Sequence, residues 1–335
     1  MNTRRFQITA MAIVTLLAAA SGWAQDPALE GFNVVEPDGP QRKHAGFWRR
    51  PERATPAEQL VHAQELEAKG RLRKAGRQYR ALVHEWHDTP EAVKAQHAYA
   101  GLLETRGKYD AAFIEFQYLV DFYSGRFDYA DVLDHQFRIA NQVMTRRYGG
   151  LLFLPGFESP ERALPLFEQI AENAPTWERG PEVQFYIGWI LEEDKQYQEA
   201  VRAYDKLRQR WPRSELAVTA AFGGTRCLVR VADKSPRDEV GCQRALEALA
   251  GFIRDYPDDP HVEPTTIERD RLTDRLVTMH YERAAYYDHI AKKPESALIA
   301  YADFLRRFPY ADQAEGVSAR VRELEALVDS GGEPQ

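Results

Sequence analysis

The fold is decided by two segments that share one pattern, "GRLRKAGRQYRALVHEW" (70–86) and "GKYDAAFIEFQYLVDFY" (107–123). In each segment a small residue follows the glycine by five positions, and a large ring follows that small residue by four. A further aromatic closes the segment. A small residue lets two helix backbones approach, and a ring on the same face fills the space between helices. The pattern therefore predicts one helix of a repeated helix pair.

The same frame recurs along the rest of the chain. The four further segments are "ALPLFEQIAENAP" (163–175), "AVRAYDKLRQRWP" (200–212), "ALEALAGFIRDYP" (245–257) and "ALIAYADFLRRFP" (297–309). Their small anchor residues, together with those of the first two segments, are Ala75, Ala112, Ala163, Ala200, Ala245 and Ala297. The steps between anchors indicate a basic unit of about 37 residues with insertions, which is the length range of helix-pair repeats.

This small-residue, aromatic and proline pattern resembles the second half of the tetratricopeptide repeat (TPR) signature. The segments "FRIA" (137–140), "FYIG" (185–188) and "FGGT" (222–225) are similar to its first half. The resemblance implies an all-α, TPR-like right-handed solenoid of about six antiparallel helix pairs. Apolar residues at helical spacing in 317–328 predict the C-terminal capping helix that the end of such an array needs.

Helix-start signals set the expected boundaries. A hydroxyl or glycine followed by proline and an acid begins the segments at Thr55, Thr89, Ser159 and Gly180. We expect helix pairs near 55–88, 89–125, 128–175, 180–212, 214–257 and 268–309, with the cap at 312–328, so that the solenoid spans 55–328. Insertions are expected at 148–158 and 231–240 inside pairs, and at 258–268 before the last pair.

The ends of the chain carry different signals. A basic start followed by the apolar run 8–20 and small residues predicts a secretory signal peptide at 1–24. Residues 25–54 are rich in Pro, Gly and charge, which predicts a flexible leader. Residues 329–335 are predicted to form a disordered tail.

The net charge of −7 becomes −9 once Arg4 and Arg5 are removed with the signal peptide. Such a charge argues against nucleic acid as a partner.

Cys227 and Cys242 are the two cysteines of the chain. An exported protein enters an oxidising compartment, where they could form a disulfide that closes a short loop and contributes about 3 kcal/mol. The equal alternative is a pair of free, buried thiols, because spacing alone does not give the separation of the two Cα atoms.

The mature chain resembles the BamD (YfiO-like) family of periplasmic TPR proteins, over about 55–328. The resemblance is carried by the helix ends "RWP" (210–212), "DYP" (255–257) and "RFP" (307–309), and by "YYDHIAKKPESALIAYADFLRRFP" (286–309). It implies a periplasmic scaffold, peripheral at the outer membrane, in β-barrel outer-membrane protein assembly. Its implied partners are the periplasmic domains of the barrel-insertase and unfolded outer-membrane protein segments.

One departure concerns attachment. Family members are usually lipoproteins with a cysteine directly after the signal peptide, whereas "SGWAQDPA" (21–28) has none. Membrane contact is therefore expected only through partners. A Tol-Pal or cell-division type of periplasmic TPR adaptor is the alternative, although residues 25–54 lack the heptad pattern with which such adaptors usually start.

Two candidate binding regions follow from the register. The first helices of TPR pairs line the concave face, which predicts partner-binding residues Lys94, His97, Phe137, Asn141, Phe185, Trp189, Glu192, Phe222 and Arg226. The alternative for the three phenylalanines is that they pack in the core, as aromatics at helical spacing mostly do.

The second region is the apolar loop "YGGLLFLPGFESP" (148–160), whose glycines and prolines exclude a helix. Its large apolar residues are Leu151, Leu152, Phe153, Leu154 and Phe157. Exposed patches of this size are rare without a ligand, so we expect the loop either to fold back as a plug or to dock a partner. Contact with a membrane surface is a third interpretation, against which the acidic net charge counts.

Catalytic and metal signals are weak. His84 and His87 lie three apart and lack the H-E-x-x-H spacing of a zinc protease, so no metal or cofactor is expected. Glu158-Ser159 is similar to the Glu-Ser pair of peptidoglycan lytic enzymes, but the segments that follow it there are missing. The sequence thus predicts a non-catalytic binding protein with no small-molecule substrate.

Overall fold

The computed structural model describes residues 50–148 and 157–329. Its helices are α1 (Pro56–Ala68), α2 (Leu72–Glu85), α3 (Pro90–Thr105), α4 (Tyr109–Phe122), α5 (Tyr129–Thr145), α6 (Leu164–Asn173), α7 (Gly180–Glu193), α8 (Tyr197–Arg210), α9 (Leu216–Lys234), α10 (Glu239–Asp255), α11 (Val262–Ala285), α12 (Pro294–Arg307) and α13 (Ala314–Asp329). A 3₁₀ turn at Pro160–Ala163 precedes α6, and a π-helical turn at Tyr286–Ile290 follows α11. The expected signal peptide, nearly all of the leader and most of the tail lie outside the described residues.

The chain divides into two units, 1–139 and 140–335, and the division falls within α5. In the first unit α1 packs on α2, α2 on α3 and α3 on α4. In the second unit consecutive helices from α6 to α13 pack on one another in the same way. This packing of helix pairs in sequence order confirms the all-α, TPR-solenoid class of fold.

The anchor residues explain the packing. All six anchor alanines, from Ala75 to Ala297, have no exposed surface. The large residues four positions later are also buried, and they are Tyr79, Phe116, Phe167, Tyr204, Leu249 and Tyr301. Truncating one of these buried rings to alanine would cost about 3–5 kcal/mol. Each helix pair therefore contributes one small residue and one large residue of this pattern to the core.

In three of the helix pairs, a buried glutamine forms a hydrogen bond between the first and the second helix. In each case the side-chain amide of the first helix donates to a backbone carbonyl 19 residues later on the second helix. The pairs are Gln59 with Gln78, Gln96 with Glu115 and Gln184 with Ala203, at 3.1, 2.9 and 3.1 Å. A buried amide needs such a partner, because its desolvation is otherwise uncompensated.

The turns within pairs one, two and four place one residue in the left-handed region. Gly70 and Gly107 both have φ of +68°, and Lys195 has φ of 62° at the corresponding point of pair four. Each of these residues donates its N–H to the carbonyl of the third residue before it. A lysine at this φ is strained, whereas a glycine is not.

Several expected boundaries were wrong. Helix α11 begins at Val262 rather than near 268, because Pro264 falls in the first helical turn, where no N–H is needed. The insertion expected at 231–240 is largely absorbed by the longer helix α9, leaving a short turn at 235–238. Ser159 precedes the 3₁₀ turn without a capping bond from its side chain, and Arg179 rather than Gly180 caps α7.

The apolar loop is described only at its two ends. A two-residue antiparallel ladder joins β1 (Arg147–Tyr148) to β2 (Phe157–Glu158). Leu151, Leu152, Phe153 and Leu154 lie outside the described residues, and the side chain of Phe157 is not described either. Its role as a plug or docking loop therefore stays a prediction.

Both cysteines are free, buried thiols, so the structure corresponds to the second of the two alternatives for this pair. Burial, followed by the nearby Glu192 carboxylate, raises the pKa of Cys227 to about 12. Burial also raises the pKa of Cys242, whose thiol lies 3.6 Å from the backbone carbonyl of Leu272. Neither thiol is in the reactive thiolate form at neutral pH.

Candidate functional site

In the first unit, the predicted concave-face residues have different exposures. Lys94 is exposed and His97 half-buried on α3, whereas Phe137 is only 3% exposed on α5. Phe137 is thus part of the core, which is the alternative that the sequence left open for the phenylalanines.

His97 belongs to a polar cluster that the sequence did not predict. Its Nε2 lies 2.7 Å from Oδ2 of Asp131 on α5. His135, one turn further along α5, has its Nε2 3.8 Å from the other oxygen of the same carboxylate. One ligand atom from each of these three residues lies within 4.8 Å of the others. The rings of the two histidines are 5.5 Å apart and almost perpendicular.

Glu104, near the end of α3, contacts Nδ1 of His135, the ring nitrogen that does not face Asp131. One carboxylate oxygen is 2.6 Å from Nδ1 of His135, and the other accepts from Nε of Arg138 at 2.6 Å. Burial opposes ionisation of this carboxyl, but the bonds from His135 and Arg138 outweigh it, so the pKa of Glu104 lies below its ordinary value. Phe116 stacks on the imidazole of His135 with ring centres 4.5 Å apart.

In the second unit, the structure brings together two predicted residues, Glu192 on α7 and Arg226 on α9. The guanidinium donates to both carboxylate oxygens, at 2.5 and 2.8 Å. The hydroxyl of Tyr204 on α8 donates to the same carboxylate at 2.9 Å. Burial and this neighbouring carboxylate raise the pKa of Tyr204. A charge-assisted network of this kind, buried at Tyr204 and Glu192 and exposed at Arg226, joins three helices.

The other predicted residues of the second unit are less closely connected. Phe222 is half-buried, and its ring stacks on His261 with centres 4.1 Å apart and lies under the guanidinium of Arg226. Phe185 is half-buried against Tyr204, with ring centres 5.9 Å apart. Trp189 and Asn141 are half-buried.

A cavity of about 150 Å³ opens beside Phe222, between α9 and α11. Its apolar walls include Phe222, Val229 and Leu249. Arg230 lies on its exposed edge and forms no ion pair with a residue in 50–148 or 157–329. The buried hydroxyl of Thr265, another lining residue, has no hydrogen-bond partner in the same ranges.

The sequence contains a signal that would have revealed much of this arrangement. His97 to Asp131, Glu104 to Arg138 and Glu192 to Arg226 are all 34 residues apart, and each pair joins one first helix to the next. Comparing complementary polar residues at this separation would have found them. The apolar register used for the fold does not include polar residues on the opposite face.

Comparison with known proteins gives two matches to family models, both described as tetratricopeptide repeat. They cover residues 60–127 and 182–214. No curated protein matches the chain.

Similar solved structures include YrrB, a TPR protein with an unusual peptide-binding site, at 15% identity and a TM-score of 0.32; 63% of this chain and 92% of that chain are covered. A tetratricopeptide repeat protein from Parabacteroides merdae matches at 12% identity and a TM-score of 0.30, over 81% and 98% of the two chains. MamA from Desulfovibrio magneticus matches at 15% identity and 0.28, over 62% and 98%.

The matched repeats and the helix packing define the fold as a helical TPR solenoid, and TPR proteins are generally non-catalytic scaffolds for protein–protein interaction. In the ranges 50–148 and 157–329 no helix has both the length and the apolar character of a membrane span.

Proposed function

We propose that the protein is a non-catalytic scaffold that binds an extended segment of a partner protein at the cavity between α9 and α11. The observation that carries this proposal is an apolar cavity with a cation at its edge that forms no ion pair within 50–148 and 157–329. Phe222 and Leu249 supply the apolar wall, and Arg230 supplies the charge. The concave-face position of Phe222 in the repeat register supports the same assignment.

The dimensions of the cavity favour a peptide side chain over a small-molecule ligand. Small-molecule pockets usually have volumes of about 300–1,000 Å³, and this cavity has about 150 Å³. That volume suits one large apolar side chain. Because the cavity-lining cation Arg226 and the cavity-lining acids Asp233 and Glu268 already have ion-pair partners, Arg230 would bind a carboxylate next to that side chain. The partner is thus an extended peptide with an apolar residue beside an acidic group.

We further propose that this binding takes place in the periplasm, in β-barrel outer-membrane protein assembly. Support comes from the predicted signal peptide at 1–24 and from the BamD-like repeats of 55–328. The partners are the periplasmic domains of the barrel-insertase and unfolded outer-membrane protein segments. Since no cysteine follows the signal peptide, contact with these partners holds the protein at the membrane.

Site-specific photocrosslinking in the native cell tests this proposal. A photoreactive phenylalanine analogue replaces Phe222, and the matched control places it at Ile267, which is 62% exposed on α11. We expect adducts at 222 that are absent at 267, with the barrel-insertase as the main crosslinked protein. Arg230→Glu should reduce the yield at 222, whereas Arg244→Glu, at an exposed arginine outside the cavity lining, should not.

The outcomes distinguish the proposed binding site from the proposed cellular role. Equal labelling at 222 and 267 would overturn the cavity as the binding site. Specific adducts with Tol-Pal or cell-division proteins would keep the cavity and overturn the role in barrel assembly.

A further inference from the structure

We infer that His97, Asp131 and His135 form a zinc-binding site between α3 and α5, with Glu104 orienting one ligand. This site is independent of the cavity between α9 and α11. Two imidazoles and one carboxylate are the donor set of many zinc sites that keep one coordination position open. The three side chains come from two first helices that follow one another in the repeat array.

The ligand atoms already converge. Tetrahedral zinc with bonds of about 2.0–2.2 Å places its ligand atoms about 3.3–3.5 Å apart. The two observed separations from the Asp131 carboxylate, 2.7 Å to His97 and 3.8 Å to His135, lie on either side of that value. All three ligand atoms lie within 4.8 Å of one another, so an adjustment of at most about 1.5 Å brings them to the separation that zinc requires. Asp131 and His135 lie one helical turn apart, a spacing that places both on one face of α5.

The contact of His135 with Glu104 favours the tautomer that a metal needs. A carboxylate held by a guanidinium is ionised and only accepts hydrogen bonds. Glu104, whose oxygen lies 2.6 Å from Nδ1 of His135, favours the tautomer with the proton on Nδ1, whereas Nη2 of Arg138, equally close to Nδ1, favours the other one. With the proton on Nδ1, Nε2 presents its lone pair toward Asp131. A histidine that donates one ring N–H to a carboxylate while its other nitrogen binds metal is the common arrangement in zinc proteins.

Charge and access also fit a divalent cation. Asp131 and Glu104 supply two negative charges around the cluster, of which Arg138 compensates one. The side chains of His97, Asp131 and His135 are 36%, 48% and 20% exposed, so an ion can enter from solvent. Phe116 packs flat on His135 and fixes its ring plane. The position left open would take a water or a donor from a partner.

Metal titration of the purified protein tests the inference. Zn²⁺ competition against a chromophoric chelator should give one site per chain. His97→Gln and Asp131→Asn should each weaken binding by more than about tenfold, the scale at which even outer partners of a metal affect affinity. The matched control is His62→Gln, a half-buried histidine of the same unit outside the cluster, which should bind zinc as the wild type does.

Cobalt gives a second readout. Co²⁺ bound at the site should show the intense visible bands of four-coordinate cobalt, and these should vanish in His97→Gln. Circular dichroism establishes that the variants fold, and Asp131→Asn decides the question if His97→Gln does not. Equal zinc affinity in the wild type and both variants, or a weak six-coordinate cobalt spectrum, would overturn the inference and leave the cluster as a hydrogen-bonded contact.

Discussion

Pairs two and four of the repeat share a glutamate and a buried ring but differ in what the glutamate binds. Each has a glutamate near the end of its first helix, Glu104 or Glu192, and a buried ring 12 residues later on its second helix. In pair four that ring is Tyr204, and its hydroxyl occupies one oxygen of Glu192. In pair two the ring is Phe116, which has no hydroxyl, and Glu104 binds His135 instead.

The difference shows which parts of the repeat serve the fold. Both rings are almost completely buried, so the core requires a ring at this position. The hydroxyl is optional, and its absence leaves the glutamate available to orient a histidine. In pair four the positions that correspond to His97 and His135 are Phe185 and Gly223, so the surface beside Glu192 carries an ion pair without a histidine.

The largest expected effect comes from the space around Tyr204. A Cβ at Gly188 would lie 2.7 Å from the ring of Tyr204, and one at Gly223 would lie 2.8 Å from it. Gly188→Val should lower the free energy of unfolding by about 3 kcal/mol, because the ring has glycine on both sides and nowhere to move. Gly101→Val, on α3 with open space at its Cβ position, is the matched control and should change stability by less than about 0.5 kcal/mol. Urea denaturation measures both, and similar losses would show that the ring is not confined.

Removal of the two glutamates should give the next largest effect. Glu192→Ala leaves the buried hydroxyl of Tyr204 without its acceptor and should cost about 2 kcal/mol. Glu104→Ala leaves groups that reach water more easily and should cost about 1 kcal/mol. The two unfolding midpoints, measured under the same conditions, test the order. A greater loss of stability for Glu104→Ala would contradict the conclusion that Glu192 contributes more to the stability of the fold.

Removing the hydroxyl from the ring in pair four and adding one to the ring in pair two test the role of this group directly. Tyr204→Phe should cost about 1 kcal/mol, the net value of one hydrogen bond, while Glu192 keeps Arg226. Phe116→Tyr should bring a hydroxyl to Glu104, change stability by less than about 0.5 kcal/mol and weaken zinc binding by competing for the oxygen that orients His135. Calorimetric titration with zinc reads out the second effect. Unchanged zinc affinity in Phe116→Tyr would mean that the hydroxyl does not reach Glu104.

The smallest expected effect lies in the turns. Pair two has Gly107 in the left-handed region and pair four has Lys195. Lys195→Gly should raise the free energy of unfolding by up to about 1 kcal/mol by relieving strain, and Gly107→Ala should lower it by about 1 kcal/mol. Thermal melts of the two variants should shift in opposite directions. A shift of both in the same direction would mean that the lysine gains a compensating contact.

The fold could be predicted from the sequence because its determinants are local and periodic. Ala112 and Phe116 recur in register with Ala75 and Tyr79, and a register of small and large residues directly predicts helix pairs. The start of α11 was missed because residues 258–268 were expected to form a connecting segment, although Pro264 is well tolerated in a first helical turn.

The candidate sites were only partly predictable, because their residues come together across repeats. Glu192 and Arg226 were selected for their concave-face position, but their mutual contact depends on how α7 and α9 pack. His97 was selected in the same way, without Asp131 or His135. Arg230 was not selected at all, since its lack of an ion pair within the described part of the chain is recognised only after the partners of its neighbours are known.

The position of Tyr204 between two glycines also bears on how such a protein can grow by duplication. The ring and Gly188 belong to one helix pair, whereas Gly223 belongs to the next pair. A duplication that copies residues 180–212 alone includes the ring and Gly188 but not Gly223. In the copy, the ring of Tyr204 would therefore contact a side chain at the position where Gly223 leaves space. The smallest segment that can be inherited with its packing intact is therefore three helices long, one helix more than the repeat that sequence comparison detects.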